Sequence, residues 1–154
     1  MITNYDVNDY FKAVEGVTLC GQGTSEVHDA GQMFNYLEFK DANGNIEKIE
    51  GKTLITNGMS MNFKNGAKGD FYFGFTNNGH WILLASDVGG ERRTQTGFRI
   101  STLMGAAGAI SAGFCLMFLP IALPLYIYLR TSRNKDAKDI INFLVKEKGF
   151  SYFS

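Results

Sequence analysis

The rhythm of apolar and polar residues changes twice along the chain. From Val17 to Ser86, apolar residues come in short runs or alternate with polar ones, and Gly, Asn and Asp clusters interrupt them. Alternation places successive side chains on opposite faces of a strand. Val17–Leu19, Met33–Lys40, Ile46–Ile49, Thr53–Thr56, Met59–Lys64, Phe71–Thr76 and His80–Ser86 therefore read as strands. The cluster Asp41-Ala-Asn-Gly-Asn45 and the triplet Asn77-Asn78-Gly79 read as hairpin turns, and Asn65-Gly66 as another. Before this region, Asp6 as N-cap with Tyr10, Phe11 and Val14 on one face predicts a short helix that ends at Gly16.

The second rhythm is unbroken apolarity. No charged residue occurs between Arg99 and Arg130. A bilayer core needs about 20 apolar residues in a helix, so residues 100–129 read as one transmembrane segment, with a bend expected at Pro120 and Pro124. Ser101, Gly105, Ala109 and Gly113 recur every fourth residue, and Gly108 and Ala112 extend the same surface. Such a small-residue stripe predicts a helix–helix interface. Arg92, Arg93 and Arg99 before the segment, and Tyr126, Tyr128, Arg130 and Arg133 at its end, read as membrane-interface residues. The third rhythm follows. Ala137, Ile140, Ile141, Leu144 and Val145 repeat at helical spacing, and Gly149 caps the run. This amphipathic helix has two readings: it lies on lipid headgroups, or it packs on the chain's own β-domain.

The fold class these patterns imply is an α+β membrane protein. A small antiparallel β-barrel or sandwich over residues 1–90 is followed by a linker (91–99), one transmembrane helix (100–129) and a basic amphipathic helix with an aromatic tail (130–154). The implied location is integral to a membrane with the β-domain cytoplasmic. The N-terminus has acidic residues and no apolar stretch, unlike a signal peptide.

Composition narrows the chemistry. Fifteen Lys and Arg balance fifteen Asp and Glu, and no basic excess points to nucleic acid. Trp81 with Phe71, Tyr72, Phe73 and Phe75 therefore reads as core rather than as a base-stacking platform. Cys115 falls within the apolar segment, which leaves Cys20 without a partner and expected as a small buried residue. Cys20, His28 and Asp29 form the only group that could act as a nucleophile and base, and their spacing does not enforce it. Cys20-Gly-Gln-Gly-Thr-Ser25 lacks the lysine of a phosphate loop, so Gly21 and Gly23 read as turn or bulge residues. No spacing of His, Cys and carboxylates suggests a metal or cofactor. The expected function is a non-enzymatic, membrane-anchored interaction or scaffold protein that self-associates through the stripe, with the bilayer and a second copy or another membrane protein as partners. A channel subunit and a membrane-surface enzyme are the alternatives.

Overall fold

The computed structural model describes residues 2–3, 10–95 and 135–150. Eight strands are present among the described residues: β1 (Ile2–Thr3), β2 (Phe11–Gln22), β3 (Ser25–His28), β4 (Gly31–Lys40), β5 (Ile46–Thr56), β6 (Lys68–Phe75), β7 (Trp81–Val88) and β8 (Glu91–Thr94). A single turn, α1 (Asn57–Ser60), joins β5 to β6. Helix α2 covers residues 135–142 and continues as a π-helical turn, Phe143–Glu147.

Five strands close into a barrel. The order β2-β6-β7-β5-β4 is completed by pairing of β2 with β4. All these pairs are antiparallel except β5 with β7, where Thr53 and Leu54 lie beside Trp81 and Ile82. Three consecutive strands (β2, β4, β5) are followed by a fourth that returns beside the first, which is a Greek-key connection. OB-folds belong to this five-stranded barrel class.

Strand β2 makes closure possible. Its first half pairs with β6 and its second half with β4, and Thr18 has partners on both sides. The register slips between Val14 and Val17, where Gly16 takes φ 63°. The extra residue bends the strand and redirects its side chains. Phe11 and Ala13 face outward beneath α2, whereas Val14, Val17 and Leu19 point into the barrel. The Gly16 N–H donates to Asp70 Oδ1 at 2.7 Å and fixes the bulge. The helix expected to end at Gly16 is thus replaced by a strand from Phe11 onward, because backbone pairing with β6 outweighs a weak local preference.

The barrel interior is filled. Phe34, Leu37, Phe39, Ile49, Ile55, Met59, Phe63, Phe71, Phe73 and Leu83 form one buried cluster. Phe39 contacts Phe71 and Phe73 at centroid distances of 5.3 and 6.1 Å, within the range of favourable aromatic pairs. Met59, expected in a strand, lies on α1 and plugs this interior.

A second cluster lies outside the barrel. Ala137, Ile140, Ile141, Phe143 and Leu144 of α2, with Phe150, pack on Phe11, Ala13, Tyr72, Ile82, Leu84 and Ala85. Of the two readings of the amphipathic helix, packing on the chain's own barrel is therefore the one observed. Its end is capped by Gly149 at φ 69° and a bond from the Phe150 N–H to the Leu144 carbonyl. Polar contacts latch it: Lys148 Nζ and the Tyr72 hydroxyl both reach Glu15 Oε1 at 2.7 Å, and Arg92 donates to the Gly149 carbonyl at 3.1 Å.

These contacts correct the membrane fold and location. Among the described residues, no helix is long and apolar enough to cross a membrane. Moreover, a single span would carry residues after 130 to the far side of a bilayer about 30 Å thick. Instead α2 rests on the same barrel that ends at β8, so both flanks of residues 96–134 are on one body. The integral membrane α+β class, the transmembrane description and the membrane location of the β-domain are therefore not supported. Residues 100–129, Ser101, Gly105, Gly108, Ala109, Ala112 and Gly113, and Arg99, Tyr126, Tyr128, Arg130 and Arg133 lie outside the described residues.

Candidate interaction edge

The site builds from a tight turn. Asp29-Ala30 reverses the chain, and Gly31 follows at φ 152°, where a Cβ would strike the backbone of Ile55 and Thr56. β3 and β4 then pair from His28–Gly31 to Ser25–Phe34. β4 is held on its other side by β5 and belongs to the barrel wall. β3 stands at the end of the sheet order, and all four of its residues are exposed.

The orientation of its backbone follows from the ladder. The Asn35 N–H donates to the Thr24 carbonyl at 3.2 Å, which marks Thr24–Asn35 as a hydrogen-bonded pair. Bonded and non-bonded pairs alternate in an antiparallel ladder. Glu26–Met33 and His28–Gly31 therefore bond inward, while Ser25 and Val27 turn their N–H and C=O groups to an edge that no described strand covers. Val27 is 84% exposed, the highest value of any large apolar residue described. Gln32 Nε2 donates to Ser25 Oγ at 2.8 Å, and Asn35 Nδ2 to Thr24 Oγ1 at 2.6 Å, so side-chain bonds stiffen the hairpin.

Gly21 lies where the β2–β4 register slips after Leu19, and Gly23 follows the end of β2; the space at both positions is restricted. A Cβ at Gly23 would meet the Tyr36 ring at 2.7 Å, and one at Gly21 would strike the Glu38 side chain. Cys20 is exposed rather than buried, and its Sγ–H donates to the Glu38 carbonyl at 3.4 Å. His28 Nε2 lies 3.7 Å from Glu26 Oε2, two positions back on the same strand. Among the described residues no contact joins Cys20 to His28, and no group of three or more His, Cys, Asp or Glu could hold a metal ion.

Arg92 and Arg93 lie on β8, where protein groups engage them. Arg92 Nε bonds Asp87 at 2.9 Å, and Arg93 bonds Glu91. The Asn62 side chain and Arg93 hold the Glu91 carboxyl below its usual range. The segment read as a linker is thus partly a strand, turned from β7 by Gly89 and Gly90 at φ 63° and 84°.

Near the barrel mouth, Phe75 meets Trp81 edge-on at 5.0 Å and Lys12 Nζ sits 4.4 Å above the Trp81 ring. Trp81 is buried, in keeping with a core role. Burial lowers the pKa of the neighbouring His80 from its ordinary 6.5, with Lys52 pushing the same way against a backbone bond to Asn78. A lowered folded value means that the unfolded chain binds the proton first. Stability from neutral His80 is present above 6.5 and is lost as pH falls through the lower folded value. In a His80→Gln variant, that part of the stability–pH curve, measured by thermal melts, should flatten.

Sequence inspection misses β3 because Gln22–Gly31 is rich in turn formers. The available signal is the Ser-Glu-Val-His alternation set before Asp29-Ala30-Gly31. The Glu15–Tyr72–Lys148 latch joins residues far apart in sequence and has no local signature. No protein-family model, curated protein or solved structure matches the chain.

Proposed function

We propose that the chain is a non-enzymatic interaction protein that binds protein partners by adding a strand to the β3 edge. The supporting observation is the backbone edge at Ser25 and Val27, unpaired among the described residues, with an exposed apolar side chain on it. Strand addition draws affinity from main-chain hydrogen bonds at such an edge. The rest of the barrel gives this reading room. Its interior is filled with aromatic side chains and its β2–β6–β7 exterior is covered by α2.

Nucleic acid fits less well, although related barrels bind it on the face that β4 and β5 form here. Fold alone does not assign function. Residues 10–95 carry eight Lys and Arg against ten Asp and Glu. On that face Lys48 Nζ stacks 4.4 Å above Tyr36 and lies 3.7 Å from Glu50. A surface of mixed sign lacks the cationic track that single strands require.

The test is Val27→Pro. Proline removes one outward N–H and is tolerated at an edge. Complexes isolated from cells through the tagged full chain should be lost, while circular dichroism and melting temperature stay near wild type. Retention of every complex by the folded variant would defeat the reading.

A further inference from the structure

We infer that the partner strand is β3 of a second copy of this chain, paired antiparallel about Val27. The inference rests on the interaction reading above and adds the identity and register of the partner. The order of the four side chains Ser25-Glu26-Val27-His28 selects the partner and the register. With Val27 opposite Val27 of the second copy, the outward N–H and C=O groups of both residues bond reciprocally. Glu26 then faces His28 of the other copy, once on each side of the axis. Those positions form non-bonded pairs, whose side chains approach more closely. The imidazole N–H can donate to the carboxylate across the axis; within one chain His28 Nε2 and Glu26 Oε2 lie 3.7 Å apart, near each other but beyond hydrogen-bond distance. Complementary polar pairs across strands stabilise pairing, and like charges directly opposite weaken it.

The competing register fails by the same rule. Centring on Glu26 sets Glu26 against Glu26 of the second copy. It also places Val27 against Ser25, so that no apolar pair forms at the axis. A two-fold axis requires a self-complementary patch, and of the two interior positions of Ser-Glu-Val-His, Glu26 and Val27, Val27 is the one about which the strand is self-complementary. The strand is four residues long, so the association is expected to be weak and concentration-dependent.

Cysteine cross-linking of the full chain reads the register. In a background with Cys20→Ser and Cys115→Ser, Val27→Cys should give a disulfide dimer under mild oxidation. A bonded antiparallel pair has Cα atoms about 5.5 Å apart, within disulfide range. Ser25→Cys should not, because the two copies of residue 25 lie four positions apart along the ladder, about 14 Å. Sedimentation supplies a second measure. Glu26→Lys should weaken the dimer about tenfold, and the exchange Glu26→Lys with His28→Glu should restore it. Under the Glu26-centred register the exchange would leave Lys against Lys and restore nothing. Equal cross-linking at 25 and 27, or a dimer untouched by Glu26→Lys, would overturn the inference. If Val27→Cys gives no dimer while Val27→Pro still abolishes cellular complexes, the self-pairing inference falls and the interaction reading stands. If Val27→Pro has no effect on either, both fall.

Discussion

Removing residues 135–154 should unfold or aggregate the barrel. Five large apolar side chains, Ile140, Ile141, Phe143, Leu144 and Phe150, would leave the outer cluster, and Phe11, Tyr72, Ile82 and Leu84 would face water. Burial of each large side chain contributes roughly 1.5–3 kcal/mol, so the loss is on the order of 10 kcal/mol. That is comparable with the whole stability of a small domain, about 5–15 kcal/mol. A point change grades the effect: Leu144→Ala should cost about 2–5 kcal/mol, and Leu144→Asp more, because it buries a charge on an apolar surface. Chemical denaturation followed by far-ultraviolet circular dichroism measures each. The turn pattern of residues 1–90 suggests a unit that stands alone; the packing of α2 implies that such a fragment is incomplete. A soluble, cooperatively folding 1–90 fragment with wild-type stability would contradict this.

The second large effect is at Gly69. This residue pairs with Val88 across the β6–β7 ladder. A Cβ there would run into the Asp87 carbonyl and approach Val88 Cα at 2.9 Å. Backbone cannot swing aside as a flexible side chain does, so Gly69→Ala must push β6 away from β7. The expected loss is about 3 kcal/mol, the upper end for overpacking, and Gly69→Val should exceed it. Gly79 is the control. It turns the β6–β7 hairpin at φ 75°, and a Cβ would meet nothing within 4 Å. Gly79→Ala carries only the conformational strain of a side chain at positive φ, about 1–2 kcal/mol. Equal melting temperatures for the two alanine variants would show that the close approach at Gly69 is relieved without cost.

What could be read from the sequence follows the range of the forces involved. Turns are local, and Gly44, Gly66 and Gly79 take the positive φ that their turn sequences demand. Strands with clean alternation, such as Met33–Lys40, lie within β4. Ile46–Ile49 and Thr53–Thr56 read as two strands because the intervening Gly51 is of a type that usually ends a strand. Here it sits at φ 98° within β5, which runs unbroken from Ile46 to Thr56. Phe11–Val14 misled for the opposite reason: a short, mostly apolar stretch fits helix and strand alike, and only pairing with β6 decides. The apolar face of α2 was legible at Ile140 and Leu144, but its partner was not, since lipid and Phe11 or Leu84 present the same apolar chemistry. The candidate edge was least legible. β3 contributes nothing to the core, so no hydrophobic pattern announces it.

The contact between α2 and the outside of the barrel determines the placement of every described element after β8. Nuclear Overhauser effects on isotope-labelled full chain test it most directly. Cross-peaks are expected between the rings of Phe11 and Phe143, whose centroids are 5.6 Å apart, and between those of Tyr72 and Phe150, at 5.4 Å. A spectrum in which β2 and β6 connect through the Phe11–Gly74 and Lys12–Phe73 ladder contacts, while Phe143 and Phe150 show no cross-peak to either strand, would contradict the account.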